Sequence, residues 1–104
     1  MAKAYEISVW EPLPGKFEEF DETIKSLAKA FVESGVSKVD LLGGVAGKDV
    51  GRVVVIQHFK GLADNGAVNE SIGDSAAMKA WREAHPGDFP GKIISHDLYQ
   101  EIED

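Results

Sequence analysis

The chain has 104 residues, with 11 Lys and Arg against 18 Asp and Glu, a formal net charge of -7. That acidity opposes attraction to nucleic acid and to anionic membrane surfaces, and the dispersed basic residues form no block that would reverse it locally. The absence of cysteine excludes disulfides and thiolate metal sites, and the size suits one domain, residues 1–104, with one modest core. No charged and apolar leader precedes Tyr5 and no apolar run approaches the roughly 20 residues of a membrane helix, so a soluble cytoplasmic protein is expected.

Residues 4–10, AYEISVW, set Tyr5, Ile7 and Val9 against Glu6, Ser8 and Trp10, the period of two of a strand with two differently filled faces. Two prolines between Glu11 and Gly15 turn the chain. A long amphipathic helix follows, because Phe17, Phe20, Ile24, Leu27, Ala28 and Phe31 recur at steps of three and four. Each fully buried Phe or Leu of that stripe contributes about 2 to 3 kcal/mol. The pairs Asp21–Lys25 and Lys29–Glu33 would add only a few tenths of a kcal/mol each. No side chain ahead of the helix can cap it, whereas Gly35 fits a left-handed stop with Val36 as the apolar contact beyond.

Residues 36–42 read as a second strand, near an edge because Lys38 and Asp40 put charge on one face. The glycine-rich stretch 43–51 lacks phosphate-loop spacing: three residues separate Gly43 from Gly47, and Asp49 stands where a magnesium-binding hydroxyl is needed. It reads as a hairpin. Residues 51–59 contain four consecutive β-branched side chains, Val53 to Ile56, dense enough for a central strand covered on both faces.

Residues 60–73 suggest a short helix broken around Asn65-Gly66. Asp74 is placed to cap a clearer helix over 75–85, with Ala77, Met78, Trp81 and Ala84 on its apolar face. In the last strand, 92–100, Ile94, His96 and Leu98 alternate with Ile93, Ser95, Asp97 and Tyr99, and an acidic, solvated tail follows over 101–104.

Strand, helix, strand, strand, helix, strand is the split βαβ order: a ferredoxin-like α+β fold with a four-stranded antiparallel sheet and its helices on one face. The other face would remain uncovered although Val53–Ile56 calls for cover on both, so a two-fold homodimer through the sheet faces is expected.

The segments YEISVW, LPGKFEEFDETI, RVVVIQHFKGLAD and DSAAMKAWREA together resemble the dimeric α+β barrel superfamily. The likeness is closest to its NIPSNAP-like members and more distant to the antibiotic-biosynthesis-type monooxygenases, and it covers nearly the whole chain. It implies a β-barrel closed between the sheets of two subunits. The superfamily includes cofactor-free quinol-forming monooxygenases, haem-degrading and chlorite-degrading enzymes, lactone isomerases, aldoxime dehydratases and many members of no known activity. Its haem-degrading members carry an Asn, Trp and His set around the haem. Here Ser8 holds the centre of the first strand, and neither His58 nor His85 falls on the ligand position, so no cofactor is expected.

His58 and His96 are the candidate catalytic groups, able to act as base or hydrogen-bond donor if the sheet brings both imidazoles to one cavity. Ser8, Trp10, Trp81, Asp97 and Tyr99 are candidate ligand-lining residues, each with a packing or interface role as its bland alternative. His85 is explained by the helix end beside it. Three scattered histidines without an HExxH pattern give no metal site. The leading reading is a small dimer that binds a hydrophobic or aromatic metabolite. A cofactor-independent monooxygenase or related isomerase, using His58 or His96 to form a carbanion-like species, is one alternative; a non-catalytic structural or interaction dimer is the other.

Overall fold

The computed structural model describes residues 2–103, so Met1 and the final residue of the acidic tail, Asp104, lie outside the described residues. Four strands, β1 (Ala4–Pro12), β2 (Lys38–Gly43), β3 (Val53–Phe59) and β4 (Gly91–Gln100), form one sheet in the order β2-β3-β1-β4. Every neighbouring pair is antiparallel. Helix α1 (Phe17–Glu33) joins β1 to β2; α2 (Leu62–Ser71), a 3-10 turn (Ile72–Asp74) and α3 (Ala76–Ala84) join β3 to β4. This is the expected ferredoxin-like α+β arrangement.

Helix α1 starts without a side-chain cap, after Gly15 turns the backbone at φ +76°. Its end is a Schellman closure: the Val36 N–H donates to the Phe31 carbonyl (3.1 Å), the Gly35 N–H to the Val32 carbonyl (3.2 Å), and Gly35 has φ +117°. Val36 is buried beyond it. Phe20, Ile24 and Leu27 of the stripe are buried, with Thr23 and Ala30 beside them, while Ala28 and Phe31 are half-buried. Phe17 does not join them, being 59% exposed in the first turn, before the helix passes over the sheet. Lys16 pairs with Glu19 at 3.3 Å, and the Asp21–Lys25 and Lys29–Glu33 pairs are not formed among the described residues. So exposed a pair adds little stability.

Register decides which side chains share a face. Ala4, Glu6, Ser8 and Trp10 lie opposite Phe59, Gln57, Val55 and Val53, and Val39 and Leu41 lie opposite Gln57 and Val55. These face the helices, since one core cluster joins Phe20, Ile24, Leu27 and Val55 to Trp10, Val53, Leu41, Trp81 and Phe89. A second joins Ala4, Val36, Phe59 and Val68. The alternate residues Tyr5, Ile7, Val9, Val54, Ile56, His58, Lys38, Asp40 and Leu42 therefore take the face away from the helices.

Three local expectations are corrected. Helix α2 runs unbroken through Asn65-Gly66, because Asn65 is buried against β1 and holds that turn in place. The cap of α3 is Ser75, whose Oγ accepts from the Met78 N–H at 3.1 Å; Asp74 belongs to the preceding 3-10 turn. In β4 a bulge interrupts the alternation: Val9 lies opposite Ser95 but Trp10 opposite Ile93, leaving Ile94 unpaired. Ile93, not Ile94, thus shares the helix side with His96 and Leu98.

Candidate functional site

The register separates the two candidate histidines. His58 lies opposite Tyr5 and Lys38 on the open face, whereas His96 lies opposite Ser8 on the helix side. Their imidazoles point from opposite sides of one sheet, so they cannot meet in one protomer's cavity; strand alternation forbids it. Ser8 and Asp97 are separated in the same way, because Asp97 lies opposite Ile7 on the open face.

On the open face, the His58 Nε2–H donates to Asp40 Oδ2 at 2.7 Å, and the ring meets Tyr5 edge-on at 5.1 Å. The His58 hydrogen bond holds the Asp40 carboxyl below its usual range, with Lys38 3.6 Å away adding to the effect and burial opposing it. Asp97 and Tyr99 are exposed on the same face.

On the helix side, Glu6 is the hub of a polar cluster. Its Oε1 accepts from His96 Nε2–H at 2.8 Å, while Oε2 accepts from Asn65 Nδ2 at 2.8 Å and Asn69 Nδ2 at 2.9 Å. The Glu6 side chain is 12% exposed and that of His96 48%. A sheltered carboxylate thus orients a half-open imidazole, and its N–H donors satisfy it as burial requires. Helix α2 supplies both amides four residues apart on one face. Nearby, Ser8 Oγ is buried and accepts from Trp10 Nε1–H at 2.8 Å, so both side chains are committed within the layer between sheet and helices.

A cleft of about 680 Å³ opens elsewhere, between α1 and the connection from α3 to β4. Trp81, His85 and Phe89 supply its aromatic walls, and Glu19, Glu22 and Asp88 its acidic ones. Trp81 and His85 stack at 4.6 Å with 18° between their planes. Trp81 Nε1–H donates to Ser26 Oγ at 2.9 Å, and Ser26 in turn donates to the Thr23 carbonyl at 2.7 Å. His85 Nδ1–H donates to the Trp81 carbonyl at 2.8 Å, and its Nε2 lies 3.4 Å from Ser26 Oγ. The His85 ring is held by its Nδ1–H bond and its stacking on Trp81, which makes it a rigid wall. Phe89 packs at 5.0 Å from Trp10 and 6.4 Å from Trp81, tying the cleft to the core.

Trp81 is thus the one candidate ligand-lining residue that reaches the cleft. Trp10 stands behind it, and Ser8, Asp97 and Tyr99 lie elsewhere. Sequence reasoning missed Glu6, Asn65, Asn69 and Phe89. For Glu6 a signal existed, since a carboxylate in phase with Ser8 and Trp10 must enter the helix side and find donors there. No group of three or more potential metal ligands is assembled among the described residues. No helix among them is long and apolar enough to cross a membrane.

No protein-family model matches the chain, and no curated protein matches it. Solved structures do. An uncharacterised NIPSNAP-like domain protein from Burkholderia xenovorans superposes with a TM-score of 0.66 at 11% identity, covering 98% of this chain and 85% of that one. A proposed antibiotic biosynthesis monooxygenase from Bordetella bronchiseptica gives 0.64 at 15% identity, covering 99% and 100%. Another, from Nitrosomonas europaea, gives 0.57 at 21% identity, covering 93% and 88%. The chain has the ferredoxin-like fold that NIPSNAP-like and antibiotic-biosynthesis-monooxygenase-like proteins share.

Proposed function

We propose that this protein is a homodimer that binds a small aromatic molecule in the cleft between α1 and the α3–β4 connection. The observation that carries this reading is the cleft itself, about 680 Å³ in volume with Trp81, His85 and Phe89 in its walls. That volume lies within the range of small-molecule sites, and walls held by hydrogen bonds at Trp81 and His85 and by ring packing at Phe89 need little reorganisation to receive a ring. The walls also select by charge. Glu22 and Asp88 have no partner among the described residues and outweigh the single cation of the lining, Arg82, whose guanidinium is drawn toward the Gly73 carbonyl at 2.8 Å, so a neutral or cationic ring is favoured over an anionic one.

Dimerisation follows from the open sheet face. Ile7, Val9, Val54 and Ile56 make an apolar centre there, with Lys38, Asp40, His58 and Asp97 towards the sides. A second copy placing the same face against it buries that centre and leaves the cleft, on the other side of the sheet, free in each subunit.

The test uses Trp81 as reporter in a Trp10→Phe background. Benzylamine should perturb the Trp81 emission saturably and bind at least about tenfold more tightly than benzoate, the equivalent of about 1.4 kcal/mol. Glu22→Gln with Asp88→Asn should narrow that ratio. No saturable response to benzylamine, benzoate or toluene would contradict the reading.

A further inference from the structure

We infer that the cleft takes an arylalkylamine whose ring carries a hydrogen-bond donor of its own, and that the hydroxyl of Thr23 is the group that recognises this donor. That specificity rests on ligand binding in the cleft and adds to it what the ring must carry.

Thr23, on α1, is only 8% exposed and yet lines the cleft. Its Oγ1 has no hydrogen-bond partner among the described residues. The hydroxyls of Ser26, Ser34 and Ser71 behave otherwise, each donating to a backbone carbonyl three or four residues earlier. Bending back in that way is the usual course for a hydroxyl carried on a helix. Every fully buried side-chain nitrogen and oxygen among the described residues has a partner, so a Thr23 Oγ1 without one is not sealed in the core. The space open to it is the cleft.

A hydroxyl can donate or accept, and the charge around this one decides between the two. Glu22 and Asp88 make the cleft negative, which favours a ligand N–H over a carbonyl or carboxylate oxygen. Position separates the two recognitions. Glu22 and Thr23 are consecutive and both line the cleft, but Glu22 is exposed and Thr23 buried. The ammonium is therefore held at the mouth and the ring donor at depth, with Trp81 and Phe89 as the apolar walls between. An indole joined to an amine by a short alkyl chain carries both groups at its two ends. A ring with no donor would cover the Thr23 hydroxyl and leave it unpaired, which costs affinity.

The probes are tryptamine and its benzofuran analogue, in which an oxygen replaces the ring N–H without change of shape, titrated calorimetrically against the full chain. Wild-type protein should bind tryptamine at least about fivefold more tightly than the analogue. Thr23→Val keeps the branched shape and removes the hydroxyl, so the two affinities should come within about twofold of each other, mainly through weaker binding of tryptamine. Thr23→Ser keeps the hydroxyl and should retain the preference. Circular dichroism verifies that each variant is folded, and the wild-type ratio stands as a test without them. Equal binding of the two probes by wild type, or a preference that survives in Thr23→Val, overturns the role of Thr23 while leaving the cleft as a binding site. No binding of tryptamine, its analogue or benzylamine overturns both.

Discussion

Replacing Gly91 by Ala tests whether the packing behind the cleft is as tight as the structure indicates. A methyl group at Gly91 would lie 2.6 Å from both Cδ2 and Cε2 of Phe20 and 3.0 Å from the Glu11 carbonyl oxygen. Carbon atoms pack at roughly 3.5 to 4.0 Å, so the ring would have to move by about 1 Å. It has nowhere to go. Phe20 is completely buried and meets Phe89 edge-on at 5.9 Å, and Phe89 in turn lies against Trp10. Gly91 has no left-handed backbone conformation, so the cost is one of overpacking alone, about 1 to 3 kcal/mol. Urea unfolding should show a lower midpoint with an unchanged slope. The substitution should also weaken benzylamine binding, because displacing Phe20 displaces Phe89 in the cleft wall. Phe20→Leu supplies the control: in that background the cost of Gly91→Ala should shrink to below about 0.5 kcal/mol, revealing the coupling. Two results would refute the reasoning: a Gly91→Ala protein as stable as wild type, or a cost of the same size in the wild-type and Phe20→Leu backgrounds.

Three further outcomes are expected. Ser75→Ala should cost about 0.5 to 2 kcal/mol in urea unfolding, because it removes the acceptor for the Met78 N–H and the 2.7 Å hydroxyl contact to Ser34 at the end of α1. Asp40 has a depressed folded-state value, so its contribution is fully present above the unfolded carboxylate value and is lost as pH falls through the folded one. Asp40→Asn should therefore lower stability at neutral pH and converge with wild type in acid, as thermal melts across pH would record. Light scattering should give twice the 11.3 kDa chain mass for wild type and a single chain mass for Ile56→Asp, which puts a charge at the centre of the open face.

The fold was legible because its signals are periodic. The α1 stripe and the Gly35-Val36 stop needed only spacing and glycine geometry, and four β-branched residues in a row marked β3 as central. What escaped depends on contacts distant in the chain. The β4 bulge is imposed by pairing with β1 and leaves no trace in the spacing of Ile93, Ile94 and Ser95, so it shifted one residue's face. Asn65-Gly66 is a breaker by local propensity, but the hydrogen bond from Asn65 to Glu6, 59 positions away, overrides it. The site was less legible than the fold for the same reason. Single histidines can be picked out by residue type, yet the faces of His58 and His96 follow from register, and their partners Asp40 and Glu6 come from other strands. The cleft drew on α1, α3 and a loop around Phe89, which no single segment announces.

Binding of an aromatic ligand in the cleft is tested most directly by a crystal structure of the protein soaked with benzylamine. The aromatic ring of the probe should lie in the cleft against Trp81 and Phe89, with its amine toward Glu22 or Asp88, in each subunit. A well-ordered cleft left empty at saturating benzylamine, with the probe bound only elsewhere, would contradict it.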